Sequence, residues 1–314
     1  MTDLARGQEG RKTNAKGFNK LDSVRTGEEV EAIIGEVDKH YAKFRVNTAL
    51  SFSDNNCFRL ADLSKVTAIT KADFDKNGFT DLLVIGMLGK FPVVLSLMGS
   101  AGDKISMYII TRHFLRTCSI AQVIFEDDNT LVEFKYFNSY AYVRDNEVVK
   151  SVKLAFKFSD FIEYNPTPKK YNIEKIEYTM GAGGDPLSSF SMEIDSNRKA
   201  RYIMENPDFL SRRHNQYISF NGMIPNIIHD EIAGLLNYSD FPNLNDSYAV
   251  TATDNSTGLL KITFDGGKIK TIKDYGLVGT YSLNRIYQIM DSLKGNIVWK
   301  PEPPKGLIPL PAIK

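Results

Sequence analysis

The chain predicts an α+β protein of two small domains, each a mainly antiparallel sheet packed against one or two helices. Apolar residues recur at helical spacing in only a few segments. Elsewhere the pattern is short runs of valine, isoleucine and aromatic residues separated by turn residues. These runs follow one another without βαβ alternation, which argues for antiparallel pairing.

Residues 1–20 are polar, with Arg6, Arg11, Lys12 and Lys16 and no apolar h-region behind them. They are expected to be disordered, having almost nothing to bury. Without a secretory signal, either the protein stays in the cytoplasm or the sequence begins after a removed leader. A first domain is expected over residues 21–163. It opens on a helix at 27–44, where Val30, Ile33, Ile34, Val37, Tyr41 and Phe44 share a face and Thr26 with Glu29 forms a capping box. Strands follow at 81–87, 91–98, 105–110, 120–125 and 131–137, with a hairpin turn at Asp127-Asp128-Asn129, reading as a meander.

Pro166 and Pro168 in a polar stretch mark residues 164–171 as a stiff, exposed linker. A second domain is expected over 172–300. Its strands are expected at 173–180, 190–194, 200–204 and 217–220, and again at 248–253, 259–264 and 268–272. The turn Asp265-Gly266-Gly267 joins the last two. One helix, 225–236, presents Ile228, Ile232, Leu235 and Leu236, and another, 282–293, presents Leu283, Ile286, Ile289, Met290 and Leu293. Trp299 and a proline-rich tail, 301–314, close the chain. No repeat of solenoid or propeller period is present.

Composition removes whole classes of function. Thirty-nine basic against thirty-eight acidic residues leave a net charge of +1, without the basic field that nucleic-acid binding needs. The most apolar stretch, 91–98, is strand-sized, so no membrane insertion is expected. The two cysteines, Cys57 and Cys118, are either bridged or free. A bridge would close a loop of about sixty residues and stabilise by roughly 4 kcal/mol in the chain-entropy model.

One motif specifies chemistry narrowly. Asp73-Phe74-Asp75-Lys76-Asn77-Gly78-Phe79-Thr80-Asp81 places oxygen-bearing side chains at positions 1, 3, 5 and 9, with glycine at position 6. Calcium prefers six to eight hard oxygen ligands. The expected set is the side chains of Asp73, Asp75, Asn77 and Asp81 with the carbonyl of Phe79. Position 12 is Val84 rather than glutamate and a strand follows, so the loop is not an EF-hand. The pattern D-x-D-x-N-G-x-x-D before an apolar strand resembles the calcium loop of FG-GAP/VCBS-type repeats, over residues 73–87. The resemblance implies a bound calcium ion; the single copy excludes a propeller. The competing reading is a plain turn around Asn77-Gly78 with scattered acids.

Other candidates are weaker. The glycine-rich stretch 179–186 lacks the Lys-Ser/Thr of a phosphate loop, and Asp185 would repel phosphate. His229-Asp230-Glu231 has no second histidine one turn away, and His40, His113 and His214 are scattered, as on a solvated surface. No serine has nucleophile-elbow context. Asp254, Asp274 and Tyr275 border strands and fit turn and edge roles as well as a cleft.

Residues 172–300 also carry an ordered set: Pro186, Tyr202, Phe241-Pro242, Tyr248, Thr253-Asp254, Gly267-Lys268, Asp274-Tyr275-Gly276, Leu283, Ile289 and Trp299. This set resembles an uncharacterised bacterial domain family without established activity. Asp185 stands where that family has cysteine before proline, so no redox role carries over to the turn. The resemblance implies a secreted or envelope protein. Together these readings lead to the expectation of a non-catalytic, calcium-stabilised binding or structural protein with a protein partner and no catalytic residues. The rivals are a hydrolase with a calcium-shaped inter-domain cleft and an inhibitor or immunity-like binding module.

Overall fold

The computed structural model describes residues 17–52, 66–112, 118–137, 150–181, 183, 189–205 and 217–302. The chain divides into two compact units, Met1–Lys157 and Phe158–Lys314. The described residues form mostly antiparallel sheets with four α-helices and no closed barrel or propeller.

In the first unit, helices α1 (Lys20–Ser23) and α2 (Gly27–Val37) precede strands β1 (Phe44–Val46), β2 (Ile69–Ala72), β3 (Asp81–Leu88), β4 (Phe91–Gly99) and β5 (Ile105–Ile109). β3 pairs with β1 near its end and with β2 near its start; β4 and β5 extend the sheet on its other side. Helix α2 is capped by Thr26 and Glu29 as expected, but it ends at Val37 rather than running to residue 44. The Asp38 side chain accepts the His40 N–H and starts a separate turn, after which Phe44 enters a strand. Helical spacing continues through that turn because Tyr41 and Phe44 pack into the same core as Val30, Ile33 and Ile34.

The expected meander is divided. Strands β6 (Cys118–Glu126), β7 (Asn129–Phe137) and β8 (Lys150–Lys157) belong to a second sheet. Leu82, Val84, Leu95 and Leu97 meet the helices, while Leu83, Ile85, Val94 and Met98 are buried on the opposite face. A strand covered on both faces has no reason to alternate. That is why 81–88 and 91–99 read as nearly continuous apolar runs. Cys118 is disulfide-bonded, and the chain's other cysteine, Cys57, lies outside the described residues.

The second unit contains β9 (Asp160–Glu163), β10 (Ile173–Gly181), β11 (Phe190–Asp195), β12 (Lys199–Glu205), β13 (Tyr217–Met223), α3 (Asn226–Tyr238), β14 (Ser247–Ala249), β15 (Thr257–Phe264), β16 (Lys268–Tyr275), α4 (Tyr281–Asn296) and β17 (Lys300–Pro301). Its eight-stranded sheet runs β14-β16-β15-β10-β11-β12-β13-β17, antiparallel except for the parallel β14–β16 pair. In β15 burial alternates strictly: Gly258, Leu260, Ile262 and Phe264 are buried and the residues between them are not. One face packs on Leu235 and Leu236 of α3 and Ile286 and Leu293 of α4; the other carries ion pairs such as Lys175–Glu193 and Lys261–Glu177.

Residues 164–171, expected as an exposed linker, hydrogen-bond within this unit. The Asn165 N–H donates to the Tyr238 hydroxyl at 3.0 Å, and the Tyr171 N–H to the Asn237 side chain at 2.9 Å. The Tyr171 ring packs edge-on to Phe241 and Phe264, and its hydroxyl donates to Asp240. Burial, followed by that carboxylate, pushes the phenol up to about 12.

The last strand is held by a carboxylate. Glu302 accepts from the Ser219 hydroxyl at 2.6 Å and from Arg201 at 3.0 and 3.1 Å. The Ser219 bond, against the opposing effect of burial and helped by Arg201, holds its pKa below the usual 4.5. A lowered folded pKa contributes stability that is complete above about 4.5 and lost as pH falls through the folded value. Acid titration is therefore expected to release β17, read by fluorescence of Trp299, the single tryptophan. Glu302→Gln is expected to remove this acid step and to loosen β17 by about 1–3 kcal/mol. An unchanged acid step in that variant would contradict the assignment.

Candidate metal centre

The loop between β2 and β3 gathers the acids that the sequence singled out. Asp73, Asp75 and Asp81 each offer a carboxylate oxygen, and these atoms lie within 4.8 Å of one another. The backbone that achieves this depends on two left-handed residues, Lys76 at φ 59° and Gly78 at φ 85°. Glycine occupies that conformation without strain. Loop amides then point inward: Asn77 N–H donates to Asp73 at 3.2 Å and Asp75 at 3.1 Å, and Gly78 N–H to Asp73 at 3.0 Å. The Asn77 side-chain oxygen accepts the Phe79 N–H at 2.7 Å, and its amide nitrogen donates to Asp75 and to the Gly99 carbonyl, both at 2.9 Å. An amide oxygen has two acceptor sites, so Asn77 keeps one for a ligand.

Asp81 differs from the other two. It is fully buried as the first residue of β3, with its oxygens accepting Phe74 N–H and Gly99 N–H, both at 2.8 Å. Burial raises its pKa to about 7 against the pull of those two bonds, and the charges of Asp75 and Asp73 add to the rise. Asp75, whose side chain is exposed, is also raised: partial desolvation of its carboxyl comes first, against the Asn77 N–H, with the Asp73 charge adding. Both shifts have the same sign, and desolvation is the first cause of each. Hard oxygen donors clustered at this spacing suit calcium or another hard cation, which would relieve the repulsion.

Residues far away in sequence hold the loop, and the sequence reading missed them. The Asn19 side chain, itself fully buried, donates to the Thr80 carbonyl at 2.9 Å, and the Thr80 hydroxyl donates to Asp22 at 2.6 Å. Asn19 and Asp22 also form a capping box around α1. That pattern was legible as Asn-x-x-Asp, but without knowledge of the loop it marks only a short helix start.

In the second unit, Asp274 is also fully buried. Its carboxylate accepts Val278 N–H at 2.8 Å and Gly279 N–H at 2.9 Å, fixing the turn that leads into α4. Burial raises its pKa, against those two bonds and the nearby Tyr287 hydroxyl. Burial first and the Asp274 charge second raise the pKa of that hydroxyl. Gly276, at φ 87°, closes the Asp274-Tyr275-Gly276 turn against Val250, where a Cβ would approach to 2.5 Å. Residues 174–294 match the family model of a domain of unknown function, DUF6438.

The DUF6438 domain thus runs from β10 to the last turns of α4, and the Asp-Tyr-Gly turn lies inside it. Its glycine-rich turn is described only in part: Gly183 lies against the backbone of Asp254 and Asn255, while Asp185 and Pro186 lie outside the described residues. The Asp73–Asp81 loop lies outside the domain, and no FG-GAP/VCBS repeat is shown there. Neither a curated protein nor a solved structure matches the chain. Among the histidines, His40 is exposed beside Asp38 and His229 is partly buried beside Asp230, whereas His113 and His214 lie outside the described residues. No described helix is long and apolar enough to cross a membrane.

Proposed function

We propose that the loop binds a calcium ion through Asp73, Asp75, Asn77, Phe79 and Asp81. In this reading the protein is a non-catalytic, calcium-stabilised binding or structural protein of two domains. The observation that carries it is the convergence of three carboxylates, one fully buried, on a loop whose amides already orient them. An ion there stabilises a β-rich unit by linking the β2–β3 connection to Gly99 at the end of β4. A protein partner is part of the same proposal. Met223, Ile227, Ile269 and Val298 are exposed apolar side chains in the second unit, and such residues support contact with another chain where they adjoin. The disulfide at Cys118 supports an oxidising compartment, hence a secreted or envelope protein.

Calorimetric titration of the chelated protein with calcium tests the metal. Binding heat is expected, with stabilisation of about 2.7 kcal/mol once calcium reaches a hundred times its dissociation constant. Absence of both binding heat and a shift in melting temperature would reject the proposal.

A further inference from the structure

The loop is also the seat of a strap. Residues 17–23 lie along it through contacts that use none of the candidate ligand side chains directly. Gly17 N–H donates to the Gly78 carbonyl at 2.8 Å, and the Asn19 and Asp22 side chains take the Thr80 carbonyl and hydroxyl. Gly99 completes the connection. Its N–H donates to Asp81 and its carbonyl accepts from Asn77, while a Cβ on it would come within 2.0 Å of the Asn19 amide. Strap, loop and the end of β4 therefore meet at one backbone position.

We propose that residues 17–23 form a cation-dependent strap, seated when the loop is occupied and loosened when it is empty. This rests on the calcium reading above and assigns that site a regulated element. An empty loop crowds the Asp73, Asp75 and Asp81 carboxyls within 4.8 Å of one another, where they repel as they ionise, and relief of that repulsion moves the Asn77–Gly78 and Thr80–Asp81 backbone on which Gly17, Asn19 and Asp22 rest. Leu21, fully buried in the core of the first unit, opposes release. Burial of one leucine is a modest anchor, so the strap loosens by degrees rather than detaching outright. Coupling between two sites is reciprocal: whatever loosens the strap must weaken calcium by the same factor.

Hydrogen–deuterium exchange of the full chain, with calcium and with chelator, reads the strap directly. Exchange in residues 17–23 is expected to slow at least fivefold with calcium. Calorimetry of Asn19→Ala, which removes no proposed ligand, is expected to show five- to tenfold weaker calcium binding. If that variant fails to melt cooperatively, Thr80→Val, which removes only the hydroxyl bond to Asp22, carries the affinity test with a smaller loss. Calcium heat with unchanged exchange in 17–23 and unchanged affinity in the folded variant would overturn the strap and leave the calcium site standing. Absence of any calcium heat would overturn both.

Discussion

Chelated protein is expected to lose stability as pH rises from about 4 to about 7, and Asp81→Asn is expected to remove most of that slope. Asp81 titrates near 3.8 in the unfolded chain and near 7 in the fold. Between those values the folded state holds a proton that the unfolded state has released, so raising the pH favours unfolding. At about 1.4 kcal/mol per unit the accumulated loss is on the order of 3 kcal/mol. Asparagine stays neutral but offers one oxygen where the carboxylate offers two, leaving either Phe74 N–H or Gly99 N–H without its acceptor. That omission costs about 1–3 kcal/mol at any pH. The variant is therefore expected to be less stable than wild type near pH 5 and to draw level with it near pH 7. Under the calcium reading, saturating calcium also flattens the wild-type slope, because the ion keeps the carboxylate charged. Urea denaturation at stepped pH checks all three statements. Parallel curves for the two chelated proteins would show that Asp81 is not the group responsible.

Phe241→Ala is expected to destabilise the second unit by about 3–5 kcal/mol. Phe241 is fully buried at the end of the turn after α3, and its ring meets Phe264 at 4.9 Å and Tyr171 at 5.2 Å, both edge-on. Truncation leaves a hole beside two aromatic rings and removes the surface on which Tyr171 rests. Tyr171 also anchors residues 164–171 through Asp240 and Asn237, so the surrounding groups are poorly placed to collapse into the space. In scanning calorimetry the chain is expected to melt in two transitions. Phe241→Ala should lower one of them, and calcium removal should lower the other. One cooperative transition displaced by both treatments would mean that the two compact units are not independent folding units.

Much of this molecule was legible in local pattern. The Thr26–Glu29 capping box, the Asp127-Asp128 and Asp265-Gly266-Gly267 turns, the amphipathic faces of α3 and α4, and most strands stand where their residues put them. Short or weakly patterned elements did not announce themselves. β1, β2, β9 and β17 have two to four residues each, too few for periodicity to register. α1 is four residues long and exists because Asn19 and Asp22 cap it and Leu21 is buried. The split of the expected meander into two sheets was also illegible, because doubly buried strands look alike whichever sheet covers them.

The candidate site divides in the same way. The sequence by itself determined the spacing of Asp73, Asp75, Asn77 and Asp81 and the need for Gly78, since both follow from residue order and the backbone freedom of glycine. Only the tertiary structure decided that Asp81 is sealed from solvent while Asp75 is exposed, that Gly99 supplies one of its donors, and that Asn19 and Asp22 brace the turn. Ligand spacing is a local property, written in neighbouring residues. Burial and charge balance depend on partners tens of residues away, and these come together only when the strands pair.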